Sequence, residues 1–513
     1  MWVYSLCIMN KLKSILLLFI VFLVTFIVVI AETTDEDNPP SPPQDKTDVT
    51  DPETIRRLKF ALTRLRGLEF KNELKVGIKK KDELKEKLQE QPEKESLEEY
   101  EKIRKAFVKF GLIPMDLNLR QFMIDVLTEQ IGGFYDPEQK ELYIVPGGET
   151  QSNLESLGIP LNIIAIISTL HEMTHALQDQ NFDLLTLPMD EMGNDDLATA
   201  VKSLVEGEAT FLMWDYMFRQ RGFDLVLFPD MSETTAPTPF SDRSLLDSAP
   251  IYIKEGLSFP YNKGLEFVKF IKARGGWEAI NKIYSDLPAS TEQIIHPEKY
   301  FSEDERDYPI TITIPDTTKV LTSTQWSLLL ENVMGEFNIS LLKKQFFPTF
   351  TSKRMSEGWG GDKFILWEDQ INKHSLLVWF TAWDTETDAR EFFNAYKKLI
   401  PKKYSGTSTE FPNAILKDKE FSRVTWQLDR QTDPSSDTNK TLTKTNMVSI
   451  EQNGLDVLVI EDVPENLLGG LVQTIWTKVQ REKLKEVKRV PLPQKKEEKK
   501  EKEEKSPEKP QEK

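Results

Sequence analysis

Two imidazoles and one carboxylate lie within the five residues His171-Glu172-Met173-Thr174-His175. In an α-helix, residues four apart share a face, so both histidine rings could bind one metal ion. Zinc accepts neutral imidazole nitrogen readily, and a catalytic zinc site combines three protein ligands with an open position for water. Glu172 would then lie beside that water, where it could accept a proton as a general base. The simpler alternative is a helix with two surface histidines.

An almost wholly apolar run, residues 161–170, leads directly into this motif. Pro160 and the absence of glycine before His171 predict a helix that begins near Leu161. Because the run is apolar on nearly every face, the helix is predicted to be buried, and buried histidines need polar partners such as a metal. Asp179, four residues after His175, could accept the second ring N–H of a ligating histidine. A solvated acid in the last turn is the alternative.

A third ligand must come from another segment, and Ala198 to Phe218 is the best candidate region. An acid inside an otherwise apolar helix is costly unless it is paired or bound to metal. Two acids, Glu206 and Glu208, flank Gly207 here. On a helical wheel Glu208 falls among apolar residues and Glu206 falls on the opposite, more polar side, so the periodicity favours Glu208 as the buried acid.

With this motif and the stretch Glu206-Gly207-Glu208-Ala209, the sequence resembles the gluzincin group of zinc metallopeptidases, which have an HExxH helix and a distant glutamate. It is also similar to uncharacterised secreted bacterial proteins of metallopeptidase type. The resemblance covers roughly residues 115–300. In many gluzincins the third ligand is the glutamate directly before glycine. The resemblance therefore implies Zn²⁺ as cofactor, with His171, His175 and Glu206 as ligands and Glu172 as base.

Upstream of the motif, residues 133–145 read as two short strands about a proline-containing turn. In gluzincins a strand pair precedes the zinc helix, and its edge strand holds the backbone of the substrate. The resemblance therefore implies that this hairpin contributes to substrate binding. An ordinary structural hairpin is the alternative.

A further histidine, His296, lies in a polar segment with a following proline, after a helix that includes Phe267 to Ile283. Peptide hydrolysis develops negative charge on an oxygen, and a well-placed donor lowers the barrier. We predict His296 as that catalytic donor, with Tyr300 and Tyr261 as weaker candidates, and a purely structural His296 as the alternative. The remaining histidine, His374, reads as a turn residue and is assigned no role.

The N-terminal residues 1–31 predict export. Lys11 and Lys13 precede an apolar stretch, residues 15–31, that fits a signal peptide or a membrane anchor, so the protein is expected to be secreted, periplasmic or N-terminally anchored. The single cysteine, Cys7, lies in this leader, so no disulfide is expected in the remainder. The net charge of −17 becomes −19 without the two leader lysines, which disfavours binding to nucleic acid.

The rest of the chain divides by composition into an acidic proline-rich linker (32–51), a helical and zincin-like catalytic domain (52–305), an α+β accessory domain (306–485) and a disordered Lys/Glu-rich tail (486–513). In the accessory domain the pattern predicts a turn at Gly358–Asp362, a helix at Thr387–Leu399, and strands at Phe364–Trp367, Ser375–Thr381, Val424–Leu428 and Leu455–Ile460.

These features together predict an α+β, zincin-like protein that hydrolyses peptide bonds outside the cytoplasm, with Glu172 activating a zinc-bound water and a peptide or protein as substrate. Two alternatives remain at the level of sequence. One is a non-catalytic extracytoplasmic binding or assembly protein that contains zinc. The other is a zinc amidase that acts on cell-wall material.

Overall fold

The computed structural model describes residues 48–90, 94–145, 161–220, 222–227, 244–301, 306–321, 325–347, 355–404, 409–412, 421–428 and 446–491. The predicted leader, most of the predicted linker and residues 492–513 of the predicted tail lie outside these ranges. Within them, every helix is too short or too polar to span a lipid bilayer.

The first part of the described chain consists of four helices and a small sheet: Pro52–Arg66 (α1), Lys75–Ile78 (β1), Lys81–Glu90 (α2), Lys94–Phe110 (α3), Leu119–Gln130 (α4), Gly133–Asp136 (β2) and Glu141–Ile144 (β3). Local sequence explains the ends of α1. The Asp51 side chain accepts a hydrogen bond from the Thr54 N–H at 3.0 Å, Pro52 occupies the first turn, and Gly67 ends the helix with φ of +71°. The predicted helical character of this region is confirmed, whereas β1 was not expected.

The small sheet has the strand order β1-β3-β2, with β1 parallel and β2 antiparallel to β3. The predicted hairpin is therefore confirmed. Its turn is held by the Asp136 carboxylate, which accepts hydrogen bonds from the N–H groups of Glu138 and Gln139 at 2.9 and 3.0 Å. Because β3 lies between the other two strands, β2 is an edge strand.

Six helices form the centre of the protein: Leu161–Phe182 (α5), Asp195–Arg219 (α6), Ser244–Ser248 (α7), Ile251–Ile283 (α8), Thr291–Ile295 (α9) and Pro297–Tyr300 (α10). Helix α5 begins where the sequence predicts, and Leu170, Met173 and Leu177 on it are buried. Helix α8 includes the predicted Phe267–Ile283 segment and has a non-helical break at Gly276. The predicted buried helix with the histidine motif is therefore confirmed.

Helices α6 and α8 cross with their backbones in contact at two glycines. An ideal Cβ added to Gly207 would lie 2.2 Å from the carbonyl carbon of Gly264. One added to Gly264 would lie 2.1 Å from the carbonyl oxygen of Ser203. Only a residue without Cβ fits at either position, because backbone atoms cannot rotate away as a side chain can.

The remaining elements build a larger sheet with its covering helices: Ile310–Thr313 (β4), Trp326–Asn332 (β5), Gly335–Phe346 (α11), Trp359–Asp369 (β6), Ser375–Trp383 (β7), Glu386–Lys403 (α12), Thr409–Pro412 (β8), Phe421–Leu428 (β9), Asn446–Asn453 (β10), Asp456–Pro464 (β11), Glu465–Lys478 (α13) and Gln480–Lys483 (β12). Seven strands form an antiparallel sheet in the order β5-β6-β7-β11-β10-β9-β8, and β4 pairs with β12. The chain is therefore α+β, as predicted.

The predicted turn at Gly358–Asp362 is wrong for most of its length. Only Gly358 has a turn conformation, with φ of +75°, and β6 already begins at Trp359. The reason is burial. The Asp362 carboxylate is buried and accepts hydrogen bonds of 2.9 Å from the indole N–H groups of Trp359 and Trp379, which hold this stretch inside the protein.

Both faces of the large sheet are buried, which explains the nearly continuous apolar sequence of β6 and β7. Alternate residues point to opposite faces. One face belongs to a core shared with the helical region and α12, and includes Phe364, Leu366, Leu377 and Trp379. The other face packs under α13 and includes Ile365, Trp367, Leu376, Val378 and Phe380. The predicted catalytic and accessory regions therefore share one hydrophobic core.

The contact between α6 and α8 predicts a selective effect of adding one methyl group. Gly264→Ala should lower the free energy of unfolding by about 3 kcal/mol, because the new Cβ meets backbone that cannot move aside. Gly256→Ala, on the same helix with no heavy atom within 4 Å of its ideal Cβ, is the matched control and should raise stability by about 0.5–1 kcal/mol. Denaturant unfolding measures both, and equal effects would contradict the proposed contact.

Candidate metal centre

Helices α5 and α6 bring three side chains together that the sequence singles out. The distances are 3.2 Å between His171 Nε2 and His175 Nε2, 3.2 Å between His171 Nε2 and Glu206 Oε2, and 3.3 Å between His175 Nε2 and Glu206 Oε2. The three atoms form a nearly equilateral triangle. The side chains of the two histidines are 11% and 12% exposed, and that of Glu206 is 26% exposed. The cluster is therefore largely buried, and Glu206 is its most exposed member.

This triangle matches the spacing that zinc requires. Tetrahedral ligands at about 2.0–2.1 Å from zinc lie about 3.3 Å from one another, which is the length of each side here. Two imidazole nitrogens and one carboxylate oxygen also form a common ligand set of catalytic zinc sites. The residues present therefore fit a zinc ion and leave its fourth coordination position to a group other than these three.

The charges in the cluster favour a cation at its centre. Burial by itself lowers the pKa of His175, but the Glu206 carboxylate outweighs burial and raises the pKa to about 9. Burial by itself raises the pKa of Glu206, and the neighbouring histidines hold that pKa far below its usual value. Without metal, a proton on His175 therefore balances Glu206. A metal ion would take over that role, and its binding would displace the proton.

Glu172 lies beside the cluster and is held by the small sheet. Its Oε2 atom accepts a hydrogen bond of 3.0 Å from the backbone N–H of Tyr135 on β2. The edge strand of the predicted hairpin therefore positions the predicted base.

Tyr261 on α8 is the aromatic residue at the cluster. Its ring stacks on that of His171, with centroids 5.9 Å apart, and its hydroxyl is within hydrogen-bonding reach of the Glu206 carboxylate. That carboxylate and burial raise the pKa of Tyr261 well above its usual value. The phenol therefore stays protonated at neutral pH and can donate a hydrogen bond. Gly264 lies one helical turn after Tyr261, so the close contact of α6 and α8 brings Tyr261 to Glu206.

Glu208 is the more buried of the two acids, as the helical periodicity predicts, but it faces away from the histidines. Its carboxylate forms a buried ion pair with Arg66 of α1 and accepts hydrogen bonds from the Tyr284 hydroxyl and, at 3.1 Å, from Gln178 Nε2. The Arg66 guanidinium also stacks over the Trp277 ring at 4.5 Å. Pairing with Arg66 therefore satisfies the buried acid without a metal.

Gln178, and not Asp179, is the hydrogen-bond partner of the second ring nitrogen of a ligand histidine. Asp179 accepts hydrogen bonds from the Tyr135 hydroxyl at 2.6 Å and from Lys140 Nζ at 2.8 Å, so it joins the hairpin to α5. The ring atom His175 Nδ1 lies 2.9 Å from Gln178 Oε1. At three residues from His175, Gln178 lies on the same side of the helix, and this spacing is the signal that could have identified it.

The structure does not bring His296 to the cluster. His296 lies between the short helices α9 and α10, where its Nε2 is 3.2 Å from Glu336 Oε1 on α11. That hydrogen bond raises the pKa of His296. Tyr300 is also held elsewhere, since its hydroxyl donates to the Asp286 carbonyl at 2.7 Å. Among the predicted donors, only Tyr261 contacts a residue of the cluster in the described part of the chain.

A second group of carboxylates, Glu292, Asp307 and Asp384, could by spacing hold a cation. Lys299 already occupies its centre, with Nζ at 2.6, 3.1 and 2.8 Å from the three carboxylates. The lysine therefore supplies the positive charge that this group needs, and the group is an ion-pair network within the fold.

Comparisons with known proteins address the large sheet and not the cluster. A family model described as a domain of unknown function (DUF8575) matches residues 325–460. This range runs from the start of the seven-stranded sheet into β11, and it contains none of the residues of the metal cluster. No curated protein and no solved structure matched the chain.

Replacing the two acids of α6 should separate their roles. Glu206→Ala should lower zinc affinity by more than about 100-fold, since loss of a ligand exceeds the 10–100-fold cost of losing a partner behind a ligand. Glu208→Ala should lower the free energy of unfolding by about 3–5 kcal/mol, because Arg66 is left buried and unpaired. Chelator competition and denaturant unfolding measure the two effects. Complete loss of zinc only in Glu208→Ala would reverse the assignment.

Proposed function

We propose that this protein is a zinc-dependent peptidase of gluzincin type that acts outside the cytoplasm. The observation that supports this most is the triangle of His171, His175 and Glu206 with Glu172 beside it. A structural zinc site has four protein ligands and needs no further carboxylate beside them. A zinc hydrolase needs a carboxylate beside the coordination position that binds water. The extracytoplasmic location rests on the leader predicted from residues 1–31, which lie outside the described residues.

In this proposal Glu172 is the general base. Zinc bound at the triangle would act as a Lewis acid on the scissile carbonyl and on water. Glu172 accepts a proton from the attacking water and then donates it to the leaving amine. The backbone N–H of Tyr135 keeps one oxygen of this carboxylate in place, so the other oxygen can be directed at the water.

Tyr261 is the proposed donor to the oxyanion, in place of His296. Its hydroxyl is protonated at neutral pH and lies at the cluster, on helix α8. A donor that is already oriented stabilises developing charge without reorganisation during the reaction. The substrate carbonyl would bind at the coordination position that the three ligands leave free. The Tyr261 hydroxyl, beside Glu206, is close enough to donate a hydrogen bond to the carbonyl oxygen there.

Replacing the base should abolish hydrolysis without removing zinc. Glu172→Gln should retain stoichiometric zinc and lose about 10²–10⁴-fold in rate, since a neutral amide cannot accept the proton. Digestion of a broad peptide library, together with metal analysis, measures both properties. Glu255→Gln, at a surface glutamate paired with Lys344, is the matched control and should keep full activity.

Two results would replace the proposal with its alternatives. Stoichiometric zinc with no cleavage by the wild type or the variant would indicate a non-catalytic zinc-containing binding protein. Hydrolysis of cell-wall fragments with no cleavage of peptides would indicate an amidase.

Removing one hydroxyl should identify the oxyanion donor. Tyr261→Phe should lower kcat by about 10²–10³-fold and leave zinc content unchanged, because the lost hydrogen bond acts mainly on the transition state. Tyr252→Phe, at a second half-buried tyrosine of α8 that packs on Phe107, is the matched control. Equal kinetics for both variants would contradict the role of Tyr261, and a large loss in His296→Ala would restore the earlier prediction.

A further inference from the structure

The side-chain amide of Gln178 lies between a metal-cluster histidine and the second acid of α6. Its Nε2 is 3.0 Å from the Val205 carbonyl oxygen, 3.1 Å from Glu208 Oε2 and 3.0 Å from the Tyr284 hydroxyl. Its Oε1 is 2.9 Å from His175 Nδ1. Gln178 is 1% exposed, so these protein groups, and not bulk water, must satisfy the amide.

The chemistry of these partners allows only one orientation of the amide. Carbonyl oxygens and carboxylate oxygens accept hydrogen bonds and cannot donate them. Glu208 Oε1 faces the Arg66 guanidinium, which can only donate, so the carboxylate is an acceptor in this network. If the amide were reversed, its oxygen would face both Glu208 and the Val205 carbonyl. That arrangement would place buried acceptors against one another. The amide nitrogen must therefore face Glu208, and the amide oxygen must face His175.

This orientation determines which nitrogen of His175 carries hydrogen. An amide oxygen can only accept, so Nδ1 carries hydrogen, and in the neutral or metal-bound ring the lone pair is then on Nε2. Nε2 is the atom that points to His171 and Glu206. We propose that Gln178 is a positioning residue that, held by Glu208 and Arg66, keeps His175 in the tautomer whose Nε2 can bind zinc. The inference rests on the proposed zinc site.

The second acid of the Glu206-Gly207-Glu208 stretch has an indirect role at the metal cluster in this network. Glu206 faces the cluster directly, and Glu208 acts on it through one amide and one ring. The network joins residues far apart in sequence, since Arg66 lies on α1, Gln178 on α5 and Tyr284 directly after α8. Partners behind the ligands of a metal commonly set ligand orientation in this way.

Gln178→Leu tests the inference, with Gln180→Leu as the matched control. Gln180 is on the same helix, and its amide oxygen accepts from the Asn72 N–H at 2.9 Å, away from the cluster. Chelator competition should show about 10–100-fold weaker zinc binding in Gln178→Leu and wild-type binding in Gln180→Leu. Equal zinc affinity in the two variants and the wild type would overturn the inference.

A spectroscopic measurement separates positioning from a general loss of stability. Spectra of ¹⁵N-histidine-labelled protein distinguish a protonated ring nitrogen from an unprotonated one, and only four histidines are present. In zinc-free protein, at a pH where the ring is neutral, wild-type His175 should carry hydrogen on Nδ1. In Gln178→Leu, which offers Nδ1 no acceptor, the hydrogen should move at least in part to Nε2, which faces Glu206.

The outcomes distinguish this inference from the proposed function. Hydrogen on Nε2 of His175 in zinc-free wild type, or an unchanged tautomer in Gln178→Leu, would overturn the role of Gln178 while the zinc site stands. Failure of the wild type to bind zinc would overturn the zinc site on which both proposals rest, whatever the tautomer.

Discussion

The Glu208 carboxylate is the interaction on which the helical part of this structure depends. Arg66 at the end of α1, Gln178 on α5 and Tyr284 after α8 all contact it, so four segments that are remote in sequence meet at one buried charge. A buried carboxylate is costly unless a counter-ion and hydrogen-bond donors compensate it. Here both are present, and few other arrangements of these segments could satisfy the same charge.

The two acids of α6 are two residues apart and have different environments for a geometric reason. Successive helix positions differ by about 100°, so Glu206 and Glu208 point to well-separated directions. Gly207 between them lets α8 approach at Gly264, which places Tyr261 next to Glu206. Glu208 therefore points to a structural ion pair, and Glu206 points to the metal cluster, where α8 also brings Tyr261.

The large sheet packs against the helical region, and the described residues of the metal cluster lie outside the sheet. Its two apolar faces are both covered, and one face shares a core with the helices that hold the metal cluster. The match to a domain of unknown function covers this sheet and ends far from the cluster in sequence. Because the core is shared, the sheet contributes to the stability of the helices, whereas the proposed chemistry belongs to α5, α6, α8 and β2.

The sequence by itself determined the elements and the residue types of the site. Apolar runs, the histidine spacing and turn residues predicted α5, the hairpin and several strands, because these depend on local periodicity. Only the tertiary structure decided the partners. Nothing local shows that Arg66 pairs with Glu208, or that Tyr261 and not His296 lies at the cluster. Those outcomes depend on how distant helices pack, and the close contact of Gly207 with Gly264 is the part of that packing that brings Tyr261 to the cluster.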